Sequence, residues 1–474
     1  MNSDKLMKTL AKYIPMIKPP LYRLSLKEKL KWTGIILFIY IFLSFIPVWG
    51  VKPPSQTSYF MTIQYLLGSR FGSLMTLGIG PIVTAGIILQ LLVGSKIIDW
   101  DTTKQEDRKK FQTWEKILAV FFVFIEATAY VVAGALPTIH GLAPLVILQI
   151  AMGGLLVLLM DEIVSKWGLG SGISLFIVAG IATQIIIRLF SPFPIGCSIH
   201  SLSACIPSAT NPPAGRVWEF LIELYSNNTS NAVLALIPIL STVLVFFLIV
   251  YAQSIRVDIP LAFAALRGFG RTWSLNFFYT SNIPVILMTA LLANFQMMAR
   301  TGLHPVGNYM CGPLGCFDQR GTPISGFAYY VSAPYTLIED AISGSLTMSE
   351  VLRAIVYFVI MSLGAVLFSV FWVNTSGMDP KSVAEQISAI GMQIPGYRRD
   401  PRIIEKVLAK YINPLAVMGG FAVGALAAIA DFTHCVVSGT GILLTVMIIY
   451  NYYQLLRQEN LEEAPRWLRK ILGE

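Results

Sequence analysis

Only 13% of the 474 residues are Asp, Glu, Lys or Arg, and only 4 are His. The motifs of enzyme chemistry are missing: no P-loop, no His/Cys cluster at zinc spacing and no nucleophile–base arrangement. Nor is there the relay of buried acids and bases that an ion-coupled transporter normally shows. A single carboxylate, Glu126, falls deep inside an apolar stretch, while Asp161, Glu162 and Asp431 fall near stretch ends, where water is within reach.

What the chain has instead is apolar length. It is 55% hydrophobic with a mean hydropathy of +0.66, too apolar for a soluble globular protein. A bilayer crossing takes ~20 apolar residues, and ten such stretches occur: 32–51, 76–94, 114–136, 142–164, 171–190, 232–253, 280–300, 351–373, 411–431 and 436–456. They are predicted to be helices, because a helix satisfies its own backbone in lipid. The basic start (Lys5, Lys8, Lys12, Lys18) leads into a full-length span, so no cleaved signal is expected. The N-terminal segment, loops 96–116, 165–170, 254–279 and 374–410 and the C-terminal tail hold 28 of the 35 Lys and Arg. That asymmetry predicts both termini in the cytosol, and setting topology is enough to explain most of this basicity.

All five cysteines fall on or near the other side. Cys197 and Cys205 share one external loop, Cys311 and Cys316 the next, and Cys435 precedes the last span. The two local pairs fit disulfides in an oxidising compartment, with free thiols as the alternative. Asn227 and Asn228 lie there in glycosylation sequons. The expected organisation is an amphipathic cytosolic segment 1–31, a first half 32–190, an external connection 191–231, a second half 232–456 and a cytosolic tail 457–474. Segment 57–69 is helical in pattern but too short to span; it reads as re-entrant or as an interfacial loop helix. The large loops 191–231, 301–350, 254–279 and 374–410 exceed what joining helices requires and imply contacts on both sides.

The halves echo each other. The second stretch carries Ile79-Gly80-Pro81-Ile82-Val83 and the seventh Asn282-Ile283-Pro284-Val285-Ile286. The fifth opens on Gly170-Ser171-Gly172-Ile173 and the tenth on Ser438-Gly439-Thr440-Gly441-Ile442. Marked helices five apart predict two inverted five-helix repeats, a design that places its working site at the repeat interface. Branched aliphatics stand at helical spacing on these helices, Ile79 with Val83 and Ile173 with Ile177. An aliphatic constriction excludes ions yet grips no particular cargo; taken alone, plain helix packing explains the pattern as well. Asn282, Asn294 and Thr84 are the polar residues within reach of Glu126 across a helix seam.

Residues 73–92, from Ser73 to Leu92 through Gly80-Pro81, resemble the second-helix signature of the SecY family, the protein-conducting channel of the Sec translocon. So do Asp161-Glu162 with Gly168–Phe176, Arg256-Val257-Asp258-Ile259-Pro260, Tyr279–Leu287 and Ser438–Leu444. The resemblance runs in order over nearly the whole chain, and Asp379-Pro380-Lys381-Ser382 leans archaeal. It implies an all-α polytopic membrane protein with an hourglass pore between two inverted five-helix halves. The constriction ring would be Ile79, Val83, Ile173, Ile177, Ile286 and Leu444. The plug would be 57–69, with Tyr59, Phe60, Ile63, Leu66 and Leu67. The lateral gate, between helices two and three and helices seven and eight, would carry Thr84, Glu126 and Asn294. Arg256, Arg267, Arg398 and Arg399 would meet ribosomal RNA. No cofactor or catalysis is implied. The implied partners are SecE-type (gamma) and small beta subunits, the ribosome or another cytosolic partner, the signal recognition particle receptor pathway, signal-bearing nascent chains and lipid. The implied location is an archaeal plasma membrane, with the endoplasmic reticulum as the alternative. The competing class is an ion-coupled secondary transporter of a small solute.

Overall fold

Each of the ten apolar stretches holds a helix. The computed structural model describes residues 17–51, 72–101, 104–134, 136–139, 141–194, 207, 212–263, 270–300, 303–307, 309–318, 321–335, 337–389, 392–393 and 400–459. The principal helices, first to tenth, are Leu26–Ser44, Gly80–Gly94, Gln105–Val132, Ala143–Trp167, Gly172–Phe190, Thr229–Gln253, Ile283–Met298, Met348–Thr375, Pro401–Phe432 and Gly439–Gln458. The fourth, fifth, sixth, eighth, ninth and tenth are long and apolar enough to cross a membrane; the second and seventh are apolar but shorter. The first and third open on charged turns, Leu26–Lys31 and Gln105–Lys110.

Local chemistry sets the starts. Ser25 with Glu28 and Thr347 with Glu350 form capping boxes, and Asp400 caps the ninth helix. The second and seventh helices begin late for one shared reason. Gly78 and Ser281 both adopt positive φ, +52° and +56°, and a proline follows each by three residues. A left-handed residue ends any helix running into it, and Pro81 or Pro284, lacking an N–H, then suits a first turn.

Four of the helix pairings repeat with an offset of five. The second helix packs on the third as the seventh does on the eighth. Third on fourth matches eighth on ninth, fourth on fifth matches ninth on tenth, and first on fifth matches sixth on tenth. The two groups meet where the second helix touches the seventh and eighth, and where the fifth touches the tenth. Polar contacts show which loops share a face. Lys29 pairs with Glu459 at 2.5 Å, and Thr33 Oγ1 accepts the Leu169 N–H at 2.9 Å. Tyr452 donates to the Ser171 carbonyl at 2.9 Å and Tyr279 to the Met378 carbonyl at 2.8 Å. The first helix starts on this basic face and the sixth ends on it, so the second group is inverted. Burial, then Asp379, pushes the Tyr279 phenol up to about 12, which keeps it a donor between the two basic loops.

Helical throughout its apolar part, the fold departs from the loop reading outside it. Arg256–Phe263 and Gly270–Asn276 form an antiparallel hairpin that Met392–Gln393 extends. On the other face His304–Val306, Tyr309–Gly312, Gly315–Phe317 and Pro323–Ser325 form a four-stranded meander. Outside lipid, water satisfies a sheet's edges, so strands are tolerated there. Cys311 and Cys316 face each other in the meander and are disulfide-bonded. Cys435 is free, while Cys197, Cys205 and the expected plug at 57–69 lie outside the described residues.

Backbone proximity rather than side-chain bulk holds some joints. A Cβ at Gly153 of the fourth helix would sit 1.8 Å from the Leu74 carbonyl oxygen. Gly153→Ala is therefore expected to displace the turn before the second helix at a cost of about 1–3 kcal/mol, read as a lower melting temperature. Gly34→Ala, with nothing within 4 Å, should not lower it. Equal melting of both variants would contradict the close approach.

Candidate functional site

The six aliphatics of the sequence reading lie in one extended apolar core, and three of them line one cavity. Ile79, Val83, Ile177, Ile286 and Leu444 belong to one buried apolar cluster, and half-buried Ile173 packs against it. Ile79 and Ile177 expose no surface. The interrupted second and seventh helices and the glycine-led fifth and tenth carry the six, and the second packs on the seventh and the fifth on the tenth where the two groups of five meet. Above them a cavity of about 460 Å³ lies toward the basic face, where Ser171, Asn451 and Tyr452 line its wall. Val83, Ile173 and Ile286 also line it, whereas Ile79, Ile177 and Leu444 do not. The cavity has a polar wall and an aliphatic floor. Nothing in that floor ligates an ion or hydrogen-bonds a substrate.

The three polar residues form one chain of hydrogen bonds across three helices. Thr84 Oγ1 donates to Glu126 Oε1 at 2.7 Å, joining the second helix to the third. Asn294 Nδ2 donates to Thr84 Oγ1 at 3.0 Å and reaches across from the seventh. Glu126 is buried, 8% exposed. Asn282 does not belong to this cluster. It accepts from Ser281 Oγ at 3.0 Å, and Asn451 of the tenth helix donates to that hydroxyl at 2.7 Å. Position explains the difference: Asn282 immediately precedes the first residue of the seventh helix, and Asn294 stands three turns further along.

Glu126 is also not the sole deep carboxylate. Asp431 is 2% exposed and takes hydrogen bonds from Tyr357, at 2.9 Å, and from the Thr440 hydroxyl. Glu162 is 5% exposed and is neutralised by Lys116 at 2.5 Å and Lys166 at 2.6 Å. Asp431 is covered by the start of the tenth helix, and Glu162 by the two lysines that pair with it. Sequence offers one signal for Asp431: like Asp161, it precedes a glycine-led helix start by about two to three turns. Of the four arginines, Arg256 is exposed and donates to the Tyr450 hydroxyl at 2.9 Å; Arg267, Arg398 and Arg399 lie outside the described residues. Among the described residues no group of His, Cys, Asp and Glu is placed to hold a metal.

Known proteins share this arrangement along its length. The SecY family model matches residues 73–453. The protein translocase subunit SecY of Pyrococcus furiosus is 39% identical, with 100% of both chains covered. That of Methanocaldococcus jannaschii is 41% identical, over 97% of this chain and 98% of its own. A solved structure of a protein-conducting channel superposes with a TM-score of 0.81 at 39% identity, covering 98% of each chain. Sec61 in the canine ribosome–channel complex from the endoplasmic reticulum superposes at 0.78, with 39% identity and 98% of each chain covered. By sequence along its full length and by fold, this chain belongs to the SecY family.

Proposed function

We propose that this chain is the pore-forming subunit of a Sec translocon, a passive channel that moves signal-bearing polypeptides across a membrane and releases apolar segments sideways into lipid. The observation that carries this reading is a cavity floored by aliphatic side chains beside a seam that one hydrogen-bond chain crosses. Extended polypeptides share no side chain, so a conduit for them needs a floor that fits without gripping. Ile79, Val83, Ile173, Ile177, Ile286 and Leu444 are the ring, segment 57–69 is the plug, and Thr84, Glu126 and Asn294 are the polar cluster of the lateral gate. An apolar signal replaces gate contacts with its own side chains and opens the seam. Apolar segments leave sideways because lipid favours Leu by ~0.3–0.6 kcal/mol and disfavours Asp or Lys by ~2.5–3.5.

The halves are 32–190 and 232–456, joined by 191–231, with both termini in the cytosol of an archaeal cell; the endoplasmic reticulum is the alternative. Partners are SecE-type and small beta subunits, and a ribosome reached through the signal recognition particle receptor pathway. Exposed Arg256 with Arg267, Arg398 and Arg399 suits phosphate-rich RNA. The channel supplies no energy, so translation or another cytosolic motor must.

The test is import. Vesicles holding the full chain should take up a signal-bearing polypeptide made on ribosomes, and a polypeptide without its signal should stay outside. Uptake of a small solute against a gradient, with no polypeptide import, would favour the transporter class instead.

A further inference from the structure

The fifth and tenth helices carry Ile173, Ile177 and Leu444, and each begins against the helix before it. A helix leaves its first N–H groups without intrahelical acceptors, and an oxygen placed there fixes where it starts. In the first group that oxygen is Asp161 Oδ1, which accepts the Ile173 N–H at 2.9 Å. In the second it is Asp431 Oδ1, which accepts the Thr440 N–H at 2.8 Å. Ile173 stands four residues before Ile177, and Thr440 four before Leu444. In both helices the anchored residue and the ring residue therefore share one face, a turn apart.

Glycine permits the approach in each case. A Cβ at Gly172 would lie 2.6 Å from Asp161 Cα and Oδ1, and one at Gly439 would lie 2.0 Å from Ala430 C and O. The two anchors stand on opposite faces, as an inverted repeat requires. Two acids, two glycines and two equal spacings recur in separate halves, which plain packing does not demand.

We propose that Asp161 and Asp431 are a matched pair of positioning residues that fix the rotation of the fifth and tenth helices and so hold Ile177 and Leu444 in the seal. This rests on the ring reading above. A helix turns about 100° per residue. A start that slips by one residue therefore carries the ring side chain out of the closure while the helix stays intact. Asp431 also accepts from Tyr357 of the eighth helix, which separates its anchoring contact from an ordinary buried hydrogen bond.

The measurement is ion conductance of the idle full-length chain in a planar bilayer. Asp161→Ala and Asp431→Ala are expected to raise it by an order of magnitude. Asp161→Asn and Asp431→Asn keep an oxygen for the N–H and should stay near the parent. Tyr357→Phe removes a buried hydrogen bond but leaves the anchor, so it should lower the melting temperature and leave the seal tight. Ile177→Gly serves as the separate test of the ring. If it leaks and both alanine variants stay tight, the positioning role is overturned and the ring stands. If it stays tight, the ring reading falls and this proposal with it. Should the alanine variants not assemble, Asp161→Glu and Asp431→Glu decide, since one added methylene moves the oxygens: a leak supports the pair, and a tight seal overturns it.

Discussion

Glycine in place of Ile79 or Ile286 is expected to make a tight bilayer leak. Ile79 has no exposed surface and Ile286 is 9% exposed at the cavity floor, so each side chain fills space that nothing else occupies. An aliphatic constriction blocks ions because water does not wet it, and an ion without water pays a prohibitive solvation cost. On the ring proposed above, removing one branched side chain widens and wets the constriction, and conductance should rise by an order of magnitude or more. Truncation of a buried isoleucine also destabilises, by about 2–5 kcal/mol for the milder change to alanine. Ile79→Leu and Ile286→Leu are therefore the controls, since a volume-conserving swap costs less than about 1.5 kcal/mol and should leave the seal tight. A flat leak in folded glycine variants would put the seal elsewhere.

The second large effect concerns the gate. Asn294→Leu removes the one hydrogen bond that reaches Thr84 from the seventh helix and leaves the Thr84–Glu126 pair in place. Glu126→Leu removes the buried acceptor itself. In either variant a dry apolar contact replaces a polar one, and opening the seam then wets apolar surface where it formerly wetted polar groups. Opening becomes harder, so a segment must be more apolar to enter. The bond lost between the helices, worth about 0.6–1.7 kcal/mol, eases opening, and the leucine newly buried in the closed seam, worth about 1.5–3 kcal/mol, opposes it by more. At about 0.3–0.6 kcal/mol per leucine, the insertion threshold should therefore rise by roughly two to four leucines, measured with a graded series of test segments. An unchanged threshold would reduce Thr84, Glu126 and Asn294 to packing.

Much of this is legible in the amino-acid sequence. Ten apolar stretches give ten helices because lipid leaves the backbone no other partner. The echo around Pro81 and Pro284 marks two helices that start late, since a positive-φ residue and a proline act locally. Thr84, Glu126 and Asn294 bond to one another because polar side chains on facing apolar helices have few other partners. What failed depended on distance in space. Asn282 sits on the same helix as Asn294 yet bonds toward Asn451, which sequence separation hides. Asp431 lies at a helix end that sequence alone places near water, and only the packing of the tenth helix over it makes it buried. The meander arises in a Gly/Pro-rich loop, whose pairing is set by tertiary register, whereas the hairpin strand carries a signal in the alternating Arg256-Val257-Asp258-Ile259.

The central claim is that polypeptide passes through the aliphatic ring, and one measurement addresses it directly. A photo-crosslinking amino acid at Ile286, in membranes given a stalled, signal-bearing nascent chain, should form an adduct with that chain, and deleting the signal should abolish it. Efficient transport with no adduct at Ile286, or an adduct indifferent to the signal, would contradict the account.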